Sequence, residues 1–87
     1  MTTTARQGGI ALAMTGASGA QYGLTLLERL LGAGRQVHLM VSRPALIVLA
    51  SETDEQVPGR AAEIERYFSE RFGARPGQLR AYGQGAR

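Results

Sequence analysis

A run of small residues, Thr15 to Gly19 (TGASG), carries the clearest chemical signal in the sequence. It follows an almost wholly apolar segment, Ile10 to Met14, and precedes a stretch with helical periodicity. A loop that joins a buried strand to a helix points backbone N–H groups at the helix N-terminus, where the helix dipole also favours an anion. The run therefore predicts a phosphate-binding loop. The spacing of Gly16, Gly19 and Gly23 differs from the dinucleotide G-x-G-x-x-G and does not by itself name the ligand.

Two serines are placed to contact the same anion. Ser18 lies at the tip of the loop, and Ser42 follows a second predicted strand, Gln36 to Val41. Because adjacent parallel strands end at the same edge of a sheet, the two hydroxyls are expected to converge there. Either serine could instead be a plain helix N-cap, and for Ser42 the two interpretations have equal weight. Arg43 could pair with a phosphate or be solvated.

The composition excludes several kinds of site. The 87 residues contain no cysteine, and all ten basic residues are arginine, which removes zinc thiolates, disulfides, Schiff-base lysines and the P-loop lysine. The lone His38 lies within a predicted strand and is interpreted as a structural or surface residue; with no carboxylate near it in the sequence, no metal is expected. The net charge of +3 comes from arginines spread along the chain, which predicts a solvated surface rather than nucleic-acid binding. No apolar run approaches the ~20 residues that cross a bilayer, and we expect a cytoplasmic protein without a membrane segment.

Hydrophobic periodicity and end signals predict the elements that position these residues. Ser42 and Pro44 suit the start of a helix, and the apolar body Ala45 to Ala50 predicts that this helix is buried. The remaining elements are a strand over Ile10–Met14, a helix from Ala20 to Gly32 or Gly34, a strand over Gln36–Val41, a helix over Arg60–Phe72 and a possible third strand over Leu79–Tyr82.

This order predicts an α/β fold with a doubly wound parallel sheet. We expect one domain over residues 1–87, with a flexible tail at 1–9, a βαβ phosphate-binding unit at 10–42, and helices with a possible third strand at 43–82. Two or three parallel strands do not complete such a sheet. The chain is therefore expected to be a truncated N-terminal portion in which the far edge of the first strand lacks a partner.

Three segments resemble the flavin prenyltransferase family, formerly called aromatic-acid decarboxylases: IALAMTGASGAQYG (Ile10–Gly23), HLMVS (His38–Ser42) and SETD (Ser51–Asp54). The resemblance runs in register from Ile10 to about Gln84. It implies a flavodoxin-like, Rossmann-type fold and a large homo-oligomer, commonly a dodecamer. It also implies a reaction that joins a dimethylallyl group from dimethylallyl phosphate to N5 and C6 of reduced FMN, without a metal. The prenylated flavin then serves a partner decarboxylase, for example in ubiquinone biosynthesis.

Carried over by position, the resemblance implies that Gly16, Ala17 and Ser18 contact the flavin and that Ser42 binds its phosphate. Ser18 matches a serine near the reactive edge of the flavin and is the one catalytic candidate. The family's second half supplies a Cys-Ser phosphate loop, a flavin-binding arginine, an acid/base glutamate and the groups that hold the prenyl phosphate. None of these precedes Arg87, so the chain alone is expected to be inactive.

Three alternatives stay open at this point. An FMN-dependent decarboxylase of peptidyl or pantothenoyl cysteine uses a related loop, but SGAQYG (Ser18–Gly23) argues against it. An NAD enzyme would need an acidic residue after the second strand, where this chain has Ser42 and Arg43, so an NADP oxidoreductase is the surviving version. The third alternative is an inactive truncated chain or a basic interaction module.

Overall fold

The computed structural model describes residues 2–6, 9–16 and 20–83. Within them the elements follow in the order β1 (Thr2–Arg6), β2 (Gly9–Met14), α1 (Ala20–Gly32), β3 (Val37–Val41), α2 (Arg43–Glu52), α3 (Ala61–Phe72) and β4 (Leu79–Tyr82). The α/β fold class predicted from the sequence is confirmed. The possible third strand of the sequence analysis is β4, at the predicted residues Leu79–Tyr82. No helix in the described ranges is long and apolar enough to cross a membrane.

The described strands form one sheet in the order β1-β2-β3-β4. β2, β3 and β4 are parallel, with Leu12 opposite Leu39 and Leu39 opposite Ala81. The parallel pairing brings the carboxyl ends of β2 and β3 side by side, with Met14 opposite Val41. The segments that follow these two strands therefore start at the same edge of the sheet.

The core lies between one face of the sheet and the helices. Side chains alternate along β2 and β3, so that Leu12 and Leu39 are buried while Ala13 and Met40 are not. A fully buried side chain of this size contributes about 1.5–3 kcal/mol. The helical residues in the same cluster are Leu24, Leu27 and Leu31 of α1, Ala45 and Leu49 of α2, and Ile64 and Phe68 of α3.

The N-terminal segment differs from the sequence-based expectation. Residues 1–9 were expected to form a flexible tail, yet Thr2–Arg6 is a strand that pairs antiparallel with β2, with Thr4 opposite Ala11. β-branched threonine favours extended backbone, and pairing satisfies the N–H and C=O groups at the outer edge of β2. The expectation that this edge lacks a partner is therefore wrong for this chain.

The burial of α2 also differs from the expectation. The helix begins where the Ser42 cap and Pro44 predict, but only Ala45 and Leu49 are buried, and Ile47 is 69% exposed. An all-apolar helix is buried only where other elements cover every side, and in the described residues α2 packs mainly against α1. The outer side of α2 is therefore an exposed apolar surface.

Candidate functional site

The carboxyl ends of β2 and β3 are joined by a backbone hydrogen bond. The Ser42 N–H donates to the Met14 C=O over 3.0 Å, directly beyond the Met14–Val41 pair. Ser42 is therefore fixed beside the point where the chain leaves β2 for the small-residue loop. This arrangement confirms that the two segments lie together at one edge of the sheet.

Gly16 marks a close approach between that loop and α2. A Cβ added at Gly16 would lie only 2.5 Å from the Cβ of Pro44, in the first turn of α2. Two carbon atoms in ordinary contact are at least 3.4 Å apart. Glycine at this position therefore lets the backbone after β2 lie directly against the start of α2.

Ser42 is the N-cap of α2. Its backbone is extended (φ −72°, ψ 161°), and its Oγ accepts a hydrogen bond from the Ala45 N–H over 3.2 Å. The capping role considered from the sequence is thereby confirmed. A hydroxyl oxygen that accepts one hydrogen bond still has its own hydrogen to donate, so the cap is compatible with a contact to a phosphate oxygen. The phosphate role of Ser42 stays a prediction.

The remaining predicted loop residues, Ala17, Ser18 and Gly19, lie outside the described residues. Their predicted contacts with a flavin, and the catalytic role of Ser18, stay predictions. What the structure does describe is both sides of this loop. β2 ends at Met14, and α1 begins at Ala20, where its first turn offers backbone N–H groups.

The edge suits an anion for a simple electrostatic reason. α1 and α2 both begin at the ends of adjacent parallel strands, and α2 begins beside Gly16. Each N-terminus carries roughly half a positive elementary charge from the aligned peptide dipoles. No acidic residue lies in the first turn of either helix. A phosphate group therefore fits the chemistry of the described residues at this edge.

His38 is not part of this edge. It lies near the start of β3, and its Nδ1 is 3.0 Å from the hydroxyl oxygen of Tyr82 on the sheet face opposite the core. The interpretation of His38 as a structural or surface residue agrees with this position. Among the described residues, no three His, Asp or Glu side chains lie close enough to hold a metal ion.

Thr53 also has a structural role, at the end of α2. It is the C-cap of α2: its N–H and its hydroxyl both donate to the Leu49 C=O, and its Oγ1 accepts from the Glu55 N–H. These bonds end the helix and begin the turn.

One polar cluster was missed by the sequence reasoning. Glu55 is 7% exposed and is the one buried charged residue in the described part of the chain. Its carboxylate accepts from the Tyr67 hydroxyl over 2.6 Å and lies 3.4 Å from the Arg71 Nε. Burial, and then the hydrogen bond to Glu55, raises the pKa of Tyr67. Tyr67 and Arg71 are four residues apart, which places them on one side of a helix and is visible in the sequence. Nothing in the sequence indicates that Glu55, in the linker before this helix, is their shared partner.

The sequence was compared with known proteins. No protein-family model matches it. Over 75 residues the chain is 48% identical to the flavin prenyltransferase UbiX of Pseudomonas aeruginosa. The aligned region covers 86% of this chain and 36% of that protein. Over 60 residues it is 42% identical to the flavin prenyltransferase UbiX of Archaeoglobus fulgidus. This second aligned region covers 68% of the chain and 32% of that protein. The chain thus spans about a third of the length of these curated relatives, and the resemblance to the N-terminal part of the flavin prenyltransferase family is confirmed.

Proposed function

We propose that this chain, a relative of the flavin prenyltransferases, forms the FMN phosphate-binding part of an enzyme that joins a dimethylallyl group from dimethylallyl phosphate to reduced FMN. The observation that carries the proposal is the hydrogen bond between the Ser42 N–H and the Met14 C=O. This bond holds the start of α2 beside the loop that precedes α1. The names of the two relatives support a flavin as the ligand, and the edge between the two helix starts supports its phosphate as the group that is held here.

In this proposal, residues of the loop after β2 and of the α2 start bind and orient the flavin. The Ser42 hydroxyl donates to a phosphate oxygen while its oxygen continues to cap α2. The backbone at Gly16, together with Ala17, contacts the flavin, and glycine at position 16 keeps this backbone against Pro44 at the start of α2. Ser18 is the proposed catalytic residue, with its hydroxyl near the reactive edge of the flavin.

The proposed reaction forms two bonds to the flavin and breaks two in dimethylallyl phosphate. The C–O bond breaks as N5 of the reduced flavin bonds to the terminal CH2 carbon, and inorganic phosphate leaves. The C=C double bond becomes a single bond as its middle carbon takes up a proton and its dimethyl-bearing carbon bonds to C6. N5 and C6 each lose one proton, one of which balances the proton taken up and the other the charge of the released phosphate, and a fourth ring is closed. The prenylated FMN is then passed to a partner decarboxylase that uses it as a cofactor.

We further propose that the full-length protein is a homo-oligomer. α2 is uncharged from Pro44 to Ser51, and Ile47, on its outer side, is 69% exposed. Large apolar side chains exposed on a helix are typical of surfaces that contact another chain. The native mass of the full-length protein gives its number of subunits, and the mass of a single subunit would contradict the proposal.

The test uses a chimera, in which this chain replaces the matched segment of the Pseudomonas aeruginosa relative. The chimera is loaded with FMN, reduced and mixed with dimethylallyl phosphate, and the flavin product is identified by mass. We expect a dimethylallyl adduct. A chimera that binds FMN but gives no adduct would contradict the proposed reaction, provided that the unmodified relative reacts in parallel.

Ser18→Ala in the same chimera separates binding from chemistry. If the hydroxyl acts mainly in the transition state, turnover falls far more than FMN affinity, because the loop's backbone N–H groups do not depend on the side chain. Full turnover in a fully loaded variant would remove the catalytic role. Loss of FMN itself would instead make Ser18 a binding residue.

A further inference from the structure

β4 has an outer side that faces no other described strand, because β3 is its one neighbour in the sheet. Backbone groups point alternately to the two sides of a strand. The Gln78 C=O accepts from the Val37 N–H of β3, so the backbone groups of Leu79 and Ala81 point outward. An outward row of N–H and C=O groups is a template on which another chain can pair.

The side chain of Glu65 occupies one of these outward donors. Glu65 lies in α3, and its Oε1 accepts a hydrogen bond from the Ala81 N–H over 2.9 Å. Glu65 is half-buried, whereas Glu63 and Glu70 of the same helix are exposed. A charge held at a strand edge opposes pairing with another strand. Glu65 therefore fills the donor and also places a negative charge where the C=O groups of an added strand would lie.

Apart from Glu65, the edge of β4 suits pairing with β4 of a second copy of this chain. In an antiparallel pair, two opposed residues whose backbone groups face each other exchange both N–H···O=C bonds. With Ala81 opposite the second copy's Ala81, Arg80 lies opposite the second copy's Tyr82. Both side chains are exposed on the sheet face away from Leu79, and an arginine beside a tyrosine ring is attracted to it. The strand sequence LRAY has no proline or lysine to oppose this pairing.

We infer that Glu65 keeps β4 from pairing with β4 of a second copy, so that contacts between copies are left to other surfaces of the chain. The inference concerns a carboxylate of α3 and does not depend on a flavin or on the proposed reaction. Removal of the oxygen acceptor at position 65 frees the Ala81 N–H and is expected to produce an antiparallel β4–β4 dimer.

Glu65→Gln and Glu65→Met are a matched pair of variants for the 87-residue chain. Both remove the charge, and both keep a long, unbranched side chain with good helix propensity. Glutamine retains an oxygen that accepts from the Ala81 N–H, whereas methionine offers only a weakly accepting sulfur. Glu63→Met is the control for an added methionine, because Glu63 is exposed on the same helix.

Sedimentation equilibrium over a range of concentrations measures the association. We expect the average mass of Glu65→Met to rise with concentration to twice that of the parent chain. The parent, Glu65→Gln and Glu63→Met should share the lower mass. Equal masses for Glu65→Met and Glu63→Met, with both folded by circular dichroism, would overturn the inference.

Proline at position 81 reports whether the association runs through β4. Because the Ala81 N–H points outward, Ala81→Pro removes the edge donor without removing a hydrogen bond to β3. We expect Glu65→Met/Ala81→Pro to return to the mass of the parent. A double variant that associates as strongly as Glu65→Met would place the contact elsewhere and would overturn the inference.

Two further measurements apply if Glu65→Met does not fold. Glu65→Ala also removes the acceptor with a good helix former and carries the same expected doubling of mass, so a folded Glu65→Ala that stays at the parent mass overturns the inference. Hydrogen exchange of the Ala81 amide in the parent should be slow. Exchange as fast as that of an exposed loop amide would show that Glu65 does not occupy this donor and would overturn the inference as well.

Discussion

Replacing Gly16 by alanine tests the close approach on which the proposed site depends. The added Cβ would lie 2.5 Å from the Pro44 Cβ and 3.5 Å from the Pro44 Cα. Ordinary contact begins at 3.4 Å, so the two segments must separate by about 0.9 Å at the closest pair of atoms. Pro44 has a rigid ring in the first turn of α2 and does not offer a flexible side-chain end that could move aside.

The expected cost follows from this geometry. Forcing an extra carbon into a packed position typically costs about 1–3 kcal/mol, whereas the lower backbone entropy of alanine in the unfolded chain offsets about 0.4–1 kcal/mol. We therefore expect Gly16→Ala to lower the free energy of unfolding by about 1–2 kcal/mol. Gly32→Ala is the matched control, because a Cβ there meets nothing within 4 Å and the position is helical. It should leave the stability unchanged or raise it by up to about 1 kcal/mol.

The assay is urea unfolding of both variants, followed by FMN titration of the same variants in the chimera. In Gly16→Ala, displacement of the loop from α2 should lower the affinity for FMN, by about tenfold if 1.4 kcal/mol of binding free energy is lost. In Gly32→Ala, the affinity for FMN should be unchanged. Equal stability and equal FMN affinity for the two variants would refute the argument that the loop must lie against α2.

Three further predictions concern Ser42 and Tyr67, whose side chains form hydrogen bonds in the described part of the chain. Ser42→Asp keeps an N-cap acceptor but places a negative charge at the proposed anion site. The free energy of unfolding should therefore stay within about 0.5 kcal/mol of the parent while FMN binding by the chimera is lost. Unchanged FMN affinity would make Ser42 only a cap. Tyr67→Phe removes the donor to buried Glu55 and should cost about 1–3 kcal/mol in urea unfolding, whereas Tyr22→Phe, at a side chain 67% exposed, should cost nothing measurable. Because the pKa of Tyr67 is raised on folding, its contribution is complete below the unfolded value of about 10 and is lost as pH rises through the folded value. Stability measured from about pH 8 to pH 11 should therefore fall more steeply in the parent than in Tyr67→Phe, and parallel curves would contradict this.

Much of the fold was predictable because its signals are local. The helix over Ala61–Phe72 has apolar residues at steps of four and ends at Gly73, whose φ of 69° is the left-handed conformation that glycine adopts readily. The strand Leu79–Tyr82 was expected from four residues alone and lies at the same four.

The differences arise where neighbours decide the outcome. β1 forms because the outer edge of β2 offers backbone partners, which the tail sequence does not reveal. Ile47 is exposed because no described element covers that side of α2, although the helix is apolar all round. Glu55 is buried by residues twelve and sixteen positions later, a pairing that only the packing of α3 against the linker creates.

The site was predictable in its position more than in its chemistry. The sequence placed Ser42 and the loop after β2 at one edge, and the Ser42–Met14 hydrogen bond confirms that placement. It did not decide between a cap and a phosphate contact at Ser42, because the same hydroxyl serves both and the cap geometry is compatible with either.

The affinity of the chimera for FMN relative to riboflavin tests the central claim most directly, because the two flavins differ only in the phosphate. One hydrogen bond to a charged group contributes about 1.5–3 kcal/mol, which corresponds to about 10- to 150-fold in affinity. If the edge beside Ser42 and Gly16 holds the phosphate, fluorescence titration should show FMN bound more tightly than riboflavin by at least about tenfold. Equal dissociation constants for the two flavins would contradict the account.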